Sequence, residues 1–195
     1  MRAIATNPRE ALDRGDALII VDVQNDFCPG GALPIEQGDQ VVPVLNKWLA
    51  AALSAQVPVY ASRDWHPVGH LSFRESGGRW PGHCLQDSPG AQFRADLNLP
   101  DSTIKVTKGV RFDQDQSSAF DQTGLAGHLR KQGIHRLWIG GLAQDVCVLA
   151  TVLDARAAGF DVIVIRDATR GVTREGCMAA DERMHEAGAR FATTL

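Results

Sequence analysis

The stretch ALIIVDV, residues 17–23, decides the fold class of this chain. It is an almost unbroken apolar run rich in β-branched residues, which is typical of a strand covered on both faces in a parallel sheet. The segment that follows, at about 39–54, repeats apolar residues at helical spacing: Val41, Val44, Leu45, Trp48, Leu49 and Leu53. A buried strand followed by an amphipathic helix is the first unit of an α/β fold.

The same alternation continues along the chain. Further strands are predicted at 57–62, 102–107, 135–140, 161–165 and 189–193, and further helices near 121–132, 146–158 and 174–187. We therefore predict one doubly wound α/β domain over residues 17–195, with a six-stranded, mostly parallel sheet flanked by helices, and an N-terminal extension over residues 1–16. A long stretch without clear periodicity, 64–101, is rich in Gly, Pro, His and Trp, and loops of this length inside compact domains are usually functional.

Composition excludes several classes of function. The 195 residues carry a formal net charge of −3, without a basic stripe that would bind a phosphate backbone, so nucleic acid is not expected as a partner. No segment has the roughly 18 apolar residues of a membrane span or the apolar core of a signal peptide, which predicts a soluble, cytoplasmic protein. The four cysteines are widely spaced and are expected to be free thiols.

Polar residues stand where the predicted strands end: Asp22, Asp64 with His66, Lys108 and Cys147. The carboxyl ends of parallel strands meet at one edge of the sheet, where ligands bind. Cys147 follows a Gly-rich turn and opens a helix, so the helix macrodipole and a nearby Lys108 ammonium are expected to favour its thiolate. Asp22 could transfer protons, and the backbone N–H groups of this turn could stabilise an oxyanion. The pattern predicts acyl-transfer chemistry.

Five motifs carry a resemblance to a known family: VDVQNDFCPGGAL (21–33), RDWHPVGHLSF (63–73), WPGHC (80–84), TKG (107–109) and GGLAQDVCV (140–148). In this order and spacing they resemble the nicotinamidase (pyrazinamidase) branch of the isochorismatase-like cysteine hydrolases, over about residues 17–193. The superfamily shares the Asp, the Lys and the Cys, whereas DWH followed by WPxHC is typical of the nicotinamidase branch.

The resemblance implies that Asp22, Lys108 and Cys147 form a catalytic triad. It also implies a cis peptide between Leu142 and Ala143, with the amides of Ala143 and Cys147 directed at the oxyanion. The implied reaction converts nicotinamide, and with it pyrazinamide, to nicotinate-type acids plus ammonia through a cysteine thioester, a step of NAD salvage. The expected partner is therefore a small-molecule amide, and a homo-oligomer stays open.

The resemblance further implies one divalent metal ion bound by Asp64, His66 and His83, which would orient the substrate and act as a Lewis acid. Zinc is the first expectation, and iron and manganese are alternatives because a site of one carboxylate and two imidazoles accepts all three. Phe27 and Trp80 match positions that wall the pyridine ring. His70 lies four residues after His66 and is a possible extra residue near the metal.

One residue departs from the family pattern. Relatives commonly have DSYSAF where this chain has DQSSAF (115–120), so Ser117 replaces a tyrosine on the pocket side. Another amide or carbamoyl hydrolase of the same superfamily with an altered pocket therefore stays as the alternative. A non-haem iron oxygenase or a binding module with a structural metal would leave Lys108 and Cys147 without a task.

Overall fold

The computed structural model describes residues 3–195 as a single parallel sheet with helices on both faces. Its strands are β1 (Ile4–Thr6), β2 (Asp16–Val21), β3 (Val59–Asp64), β4 (Ile104–Lys108), β5 (Arg136–Leu142), β6 (Asp161–Arg170) and β7 (Arg190–Thr194). Its α-helices are α1 (Pro8–Ala11), α2 (Val41–Ser54), α3 (Leu125–Lys131), α4 (Leu149–Ala157) and α5 (Arg174–Glu186). A π-helical turn, Gln144–Val148, joins β5 to α4.

The order of the strands is β1-β7-β6-β5-β2-β3-β4, and every pair within it is parallel. The chain builds outward from β2 to β3 and β4 on one side, and from β5 to β6 and β7 on the other. The order therefore reverses between β2 and β5, and the crevice outside the carboxyl ends of these strands is where such sheets bind ligands.

The sheet has seven strands, whereas the sequence predicted six. The additional strand, β1, lies inside the segment predicted as an N-terminal extension, and its residues pair with Ala192–Thr194 at the opposite end of the chain. Three residues with a mostly exposed pattern carry no periodic signal, so this edge strand is defined only by its partner. Residues 1 and 2 of the predicted extension lie outside the described part of the chain.

The side chains of β2 alternate between two cores. Leu18 and Ile20 face a cluster that includes Trp48 of α2, and Ile19 and Val21 face a second cluster formed with α3, α4 and α5. All four β2 side chains are at most 1% exposed, which explains the unbroken apolar run. Among residues 3–195, no helix combines the length and apolar character needed to cross a bilayer.

Candidate active site and metal centre

The four predicted strand ends converge at the crevice between β2 and β5. Asp22 directly follows β2, and it is fully buried with a positive φ of 50°. Asp64 and Lys108 end β3 and β4 and are register partners across these two strands. Cys147 lies in the π-helical turn after β5 and is 7% exposed. Parallel pairing thus brings together residues that are more than a hundred positions apart.

The Lys108 ammonium lies at the centre of this group. Its Nζ is 2.6 Å from Asp22 Oδ2 and 2.6 Å from Asp64 Oδ1, and it donates a longer hydrogen bond of 3.6 Å to Cys147 Sγ. The side chain is fully buried. Burial alone would lower the pKa of Lys108, but Asp22 and Asp64 raise it well above its ordinary value, so the ammonium stays charged.

The protonation state of Cys147 differs from the sequence expectation. Burial, together with the nearby Asp22 and Asp64 carboxylates, raises the pKa of the Cys147 thiol well above its ordinary value, although Lys108 opposes this. Burial also raises the pKa of Asp22. Cys147 is therefore a thiol at rest, and a carboxylate oxygen of Asp22 lies within 4.8 Å of its sulfur.

The side chains of Asp64, His66 and His83 form a compact set of possible metal ligands beside this group. One atom from each lies within 4.8 Å of the other two, and all three side chains are buried. Asp64 Oδ2 is 3.6 Å from His66 Nε2 and 4.0 Å from His83 Nε2. Donor atoms that share one ion at distances of about 2.0–2.2 Å lie about 3–4 Å apart, so the spacing fits a metal.

Backbone carbonyls prepare both imidazoles for metal binding. His66 Nδ1 donates to the Gly109 carbonyl at 2.9 Å, and His83 Nδ1 donates to the Pro81 carbonyl at 2.8 Å. A carbonyl oxygen only accepts, so the proton of each neutral ring sits on Nδ1 and the Nε2 lone pair is free to bind. Gly109 has a φ of +70°, and a Cβ there would lie 2.5 Å from the His66 ring, which explains the glycine after Lys108.

His70 lies against this site without joining its ligand set. Its ring stacks on His66 with 4.3 Å between centroids, and its Nδ1 is 2.8 Å from Ser72 Oγ. Within residues 3–195, the compact cluster contains Asp64, His66 and His83 but not His70. Cys84 is also outside this cluster. It is fully buried, and its backbone N–H donates to Asp26 Oδ2 at 2.7 Å.

A pocket of about 50 Å³ is lined by Cys147 and by Asp64, His66 and His83. This is room for about four water molecules. Phe27, Trp80 and Ser117 form part of its wall. The other residues that line the pocket are Leu33, Pro34, Ile35, Ser72, Asp115, Gln116, Ala143, Val146 and Val172.

The end of β5 has the backbone feature that the resemblance implies. The peptide between Leu142 and Ala143 is cis, and Ala143 borders the pocket together with Cys147. The carbonyl of Ala143 accepts hydrogen bonds from the backbone N–H groups of Val146 and Val148, at 3.1 and 3.0 Å. Backbone hydrogen bonds within the turn therefore hold the segment that carries Cys147.

Two buried polar residues at the site escaped prediction. Ser62 Oγ donates to Asp22 Oδ1 at 2.6 Å, and the Gln24 side chain binds the backbone of Asp64. Ser62 lies two residues before Asp64 on β3, and the alternation of strand side chains places both on one face, so its role had a signal in the sequence. Gln24 follows the end of β2 and had none.

The sequence is similar to that of known proteins over most of its length. Residues 16–195 match the model of the isochorismatase domain. The nicotinamidase of Escherichia coli strain K12 is 40% identical over 177 residues, which cover 80% of this chain and 83% of that protein. The nicotinamidase/pyrazinamidase of Mycobacterium tuberculosis is 34% identical over 88% of this chain and 95% of that protein.

Solved structures show the same fold. The crystal structure of the pyrazinamidase of Pyrococcus horikoshii in complex with zinc superposes with a TM-score of 0.89 at 42% identity, covering 92% of this chain and 99% of that one. The crystal structure of PnC1 from L. infantum in complex with nicotinate superposes with a TM-score of 0.85 at 35% identity, covering 100% of this chain and 99% of that one.

Proposed function

Since this chain belongs to the isochorismatase family, we propose that it is an amidohydrolase that converts nicotinamide, and with it pyrazinamide, to the corresponding acid and ammonia. The observation that carries the proposal is that one lysine, Lys108, links the Asp22–Cys147 pair to the possible metal ligands at a single pocket. Lys108 pairs with Asp22 and contacts Cys147, and the same ammonium pairs with Asp64, which faces His66 and His83.

The chemistry follows from the positions of these groups. Asp22 accepts the thiol proton of Cys147, and the sulfur attacks the amide carbon. The amides of Ala143 and Cys147 stabilise the oxyanion of the tetrahedral intermediate. Asp22 then donates its proton to the leaving nitrogen, so that ammonia departs and a thioester remains. Water, deprotonated by Asp22, hydrolyses the thioester and restores the thiol.

The raised pKa values of both groups suit this cycle. Because burial raises the pKa of Asp22 as well as that of Cys147, the carboxylate is a better base and its conjugate acid is less costly to form. Lys108 stays charged throughout and stabilises the thiolate as it forms. The nucleophile therefore need not exist as an anion before the substrate arrives.

Asp64, His66 and His83 would hold one divalent metal ion, for which zinc is the first candidate and iron and manganese are alternatives. When bound, this ion supplies a Lewis acid that can accept the lone pair of a ring nitrogen and so orient the ring. Phe27 and Trp80 would contact the faces of the ring. Burial opposes ionisation of Asp64, but Lys108 and His66 hold its pKa well below its usual range, so the carboxylate is ready to bind a cation.

Hydrolysis of nicotinamide yields nicotinate, an acid from which pyridine nucleotides can be rebuilt, so we assign the protein to NAD salvage. A different amide specificity within the family is the second candidate, and Ser117 at the pocket wall is the observation that favours it. A serine there leaves more room and more polarity than an aromatic side chain would.

The test is ammonia release from a panel of nicotinamide, pyrazinamide, carbamoyl compounds and aliphatic amides, with the metal content measured on the same sample. We expect the pyridine and pyrazine amides to be the best substrates. Cys147→Ala is expected to stop turnover without loss of the fold, because it removes only a sulfur from a packed position. Faster turnover of a carbamoyl or aliphatic amide would support the second candidate, and an active Cys147→Ala variant would refute the mechanism.

A further inference from the structure

We propose that Gln24 is a positioning residue that holds Asp64 in the orientation needed by both the metal centre and Lys108. This inference rests on the metal site of the proposed function. Gln24 is fully buried, and its side chain uses both ends of its amide. Oε1 accepts from the backbone N–H of Asp64 at 2.8 Å, and Nε2 donates to the backbone carbonyl of Asp64 at 2.8 Å.

The path of β2 explains why a side chain is needed here. Val21 is the last residue of β2 to pair with β3, opposite Ser62, and the backbone N–H of Asp22 still donates to the Ser62 carbonyl at 3.1 Å. The positive φ of Asp22 then turns the chain away from the sheet. The edge of β3 at Asp64 loses its backbone neighbour, and the amide of Gln24, which has the same donor and acceptor as a peptide group, takes its place.

Gln24 also ties this edge to the long loop. Its Nε2 donates a second hydrogen bond, at 2.8 Å, to the carbonyl of Ala91, which ends a short 3₁₀ turn. The same amide therefore spans three segments of the chain: the end of β2, the end of β3 and the loop that brings His83 back to the site. None of these contacts reaches a metal ligand atom, so Gln24 acts through the backbone.

The position of Asp64 matters because its two carboxylate oxygens have different partners. Oδ1 is 2.6 Å from Lys108 Nζ, and Oδ2 faces Nε2 of His66 and His83 at 3.6 and 4.0 Å. Without Gln24 the Asp64 backbone would be free to rotate, and rotation would move both carboxylate oxygens at once. The loss of Gln24 would therefore disturb the ligand set and the ion pair with Lys108 together. Groups that orient metal ligands from behind typically change metal affinity by about 10- to 100-fold when they are removed.

The chain offers a matched control next to the same residue. Gln86 is an exposed glutamine whose Nε2 donates to the backbone carbonyl of Trp65 at 3.1 Å. It thus makes one side-chain hydrogen bond to the backbone of the residue after Asp64. Because this bond is exposed to water and does not hold Asp64, its loss should leave the metal centre unchanged.

The experiment compares Gln24→Met and Gln86→Met with the unmodified protein. Methionine keeps most of the glutamine volume and removes its hydrogen-bonding groups. Each full-length protein is stripped of metal and titrated with Zn²⁺ against a chromophoric chelator, while circular dichroism and thermal unfolding of the metal-free form report on folding. We expect the Kd for zinc to rise about 10- to 100-fold in Gln24→Met, and to stay within about twofold in Gln86→Met.

A merely structural role would lower the melting temperature of Gln24→Met but leave the zinc Kd of its folded form unchanged, and that result would overturn the inference. If Gln24→Met does not fold, Gln24→Glu takes its place under the same criterion, since it keeps the acceptor for the Asp64 N–H and loses the two donor bonds. Failure of the unmodified protein to bind zinc would refute the metal site itself. Tight zinc binding by both the unmodified protein and the Gln24 variant would refute only the role of Gln24.

Discussion

Replacing Ser62 by alanine should weaken catalysis, although Ser62 itself has no contact with the substrate in the proposed mechanism. The Ser62 hydroxyl donates to Asp22 Oδ1 at 2.6 Å in a fully buried setting, and Lys108 Nζ lies 2.6 Å from the other oxygen. Together the two contacts fix the plane of the carboxylate. Ser62→Ala removes one of them and leaves the charge pair, so Asp22 keeps its charge partner but loses its alignment toward Cys147.

The size of the effect follows from the type of bond. A hydrogen bond to a charged group contributes about 1.5–3 kcal/mol, and about 1.4 kcal/mol corresponds to a tenfold change in rate. If Asp22 is in its aligned position only when Ser62 holds it, kcat/KM should fall by about 10- to 100-fold. The lower part of this range applies if Lys108 alone keeps much of the alignment.

The direction in which the pH profile of kcat/KM shifts is a second, independent test. Burial raises the pKa of Asp22, whereas the Ser62 hydroxyl lowers it by stabilising the charged form. Removing the hydroxyl therefore raises the pKa further. Because the carboxylate form accepts the thiol proton, the acidic limb of the kcat/KM profile should move to higher pH in Ser62→Ala.

The assay is ammonia release from nicotinamide across a pH series, with Ser76→Ala as the control. The Ser76 hydroxyl is exposed and donates to the Gly69 carbonyl at 2.9 Å, so its loss should change kcat/KM by less than about twofold. A Ser62→Ala variant with activity within about twofold of the unmodified protein, and with an unmoved acidic limb, would refute the reasoning.

Three further predictions concern the metal, the ion pair and the pocket. Removal of the metal with a strong chelator should stop ammonia release and added Zn²⁺ should restore it; full activity without metal would contradict a role for Asp64, His66 and His83. In the metal-free protein, Lys108 and His66 hold the pKa of Asp64 below its ordinary value despite burial. The unfolded chain therefore binds more protons, and this contribution to stability, present above about pH 4, is lost as the pH falls. Asp64→Asn should accordingly show a shallower fall in melting temperature between about pH 5 and pH 3, and equal slopes would exclude the ion pair as the cause. Ser117→Tyr should fill part of the pocket and raise the preference for nicotinamide over bulkier ring-substituted amides, which a substrate panel measures; unchanged ratios would place Ser117 outside the specificity wall.

Much of the site could be predicted because it depends on a rule of parallel sheets. Once the apolar run at 17–23 was identified as a buried strand, the carboxyl ends of the strands had to meet at one edge, and Asp22, Asp64 and Lys108 stood there. The motifs around His83 and Cys147 completed the set. In the structure, the side chains of Asp64, His66 and His83 form a compact cluster, and Lys108 Nζ lies 3.6 Å from Cys147 Sγ.

Other features depended on contacts that have no local signal. The edge strand β1 pairs with β7 from the far end of the chain, and three residues carry no period by which to detect it. The protonation of Cys147 follows from burial and from Asp64 as well as Lys108, and the sequence indicated only the lysine. The sequence placed His70 near the site, but only the structure shows that its ring stacks on that of His66.

The amino-acid sequence by itself determined the α/β class, because hydrophobic periodicity is a local property of the chain. From strand-end residues and family motifs it also predicted a nucleophile, an acid–base residue and a metal-ligand set. Tertiary structure alone decided how these groups are held and charged. Ser62 shares a strand face with Asp64, and Gln24 stands inside a family motif, but the sequence does not show which buried group either one pairs with. Gln24 reaches Asp64 because β2 turns away from β3 after Asp22. Burial and pairing are properties of the whole fold, and they set both the orientation of Asp64 and the proton on Cys147.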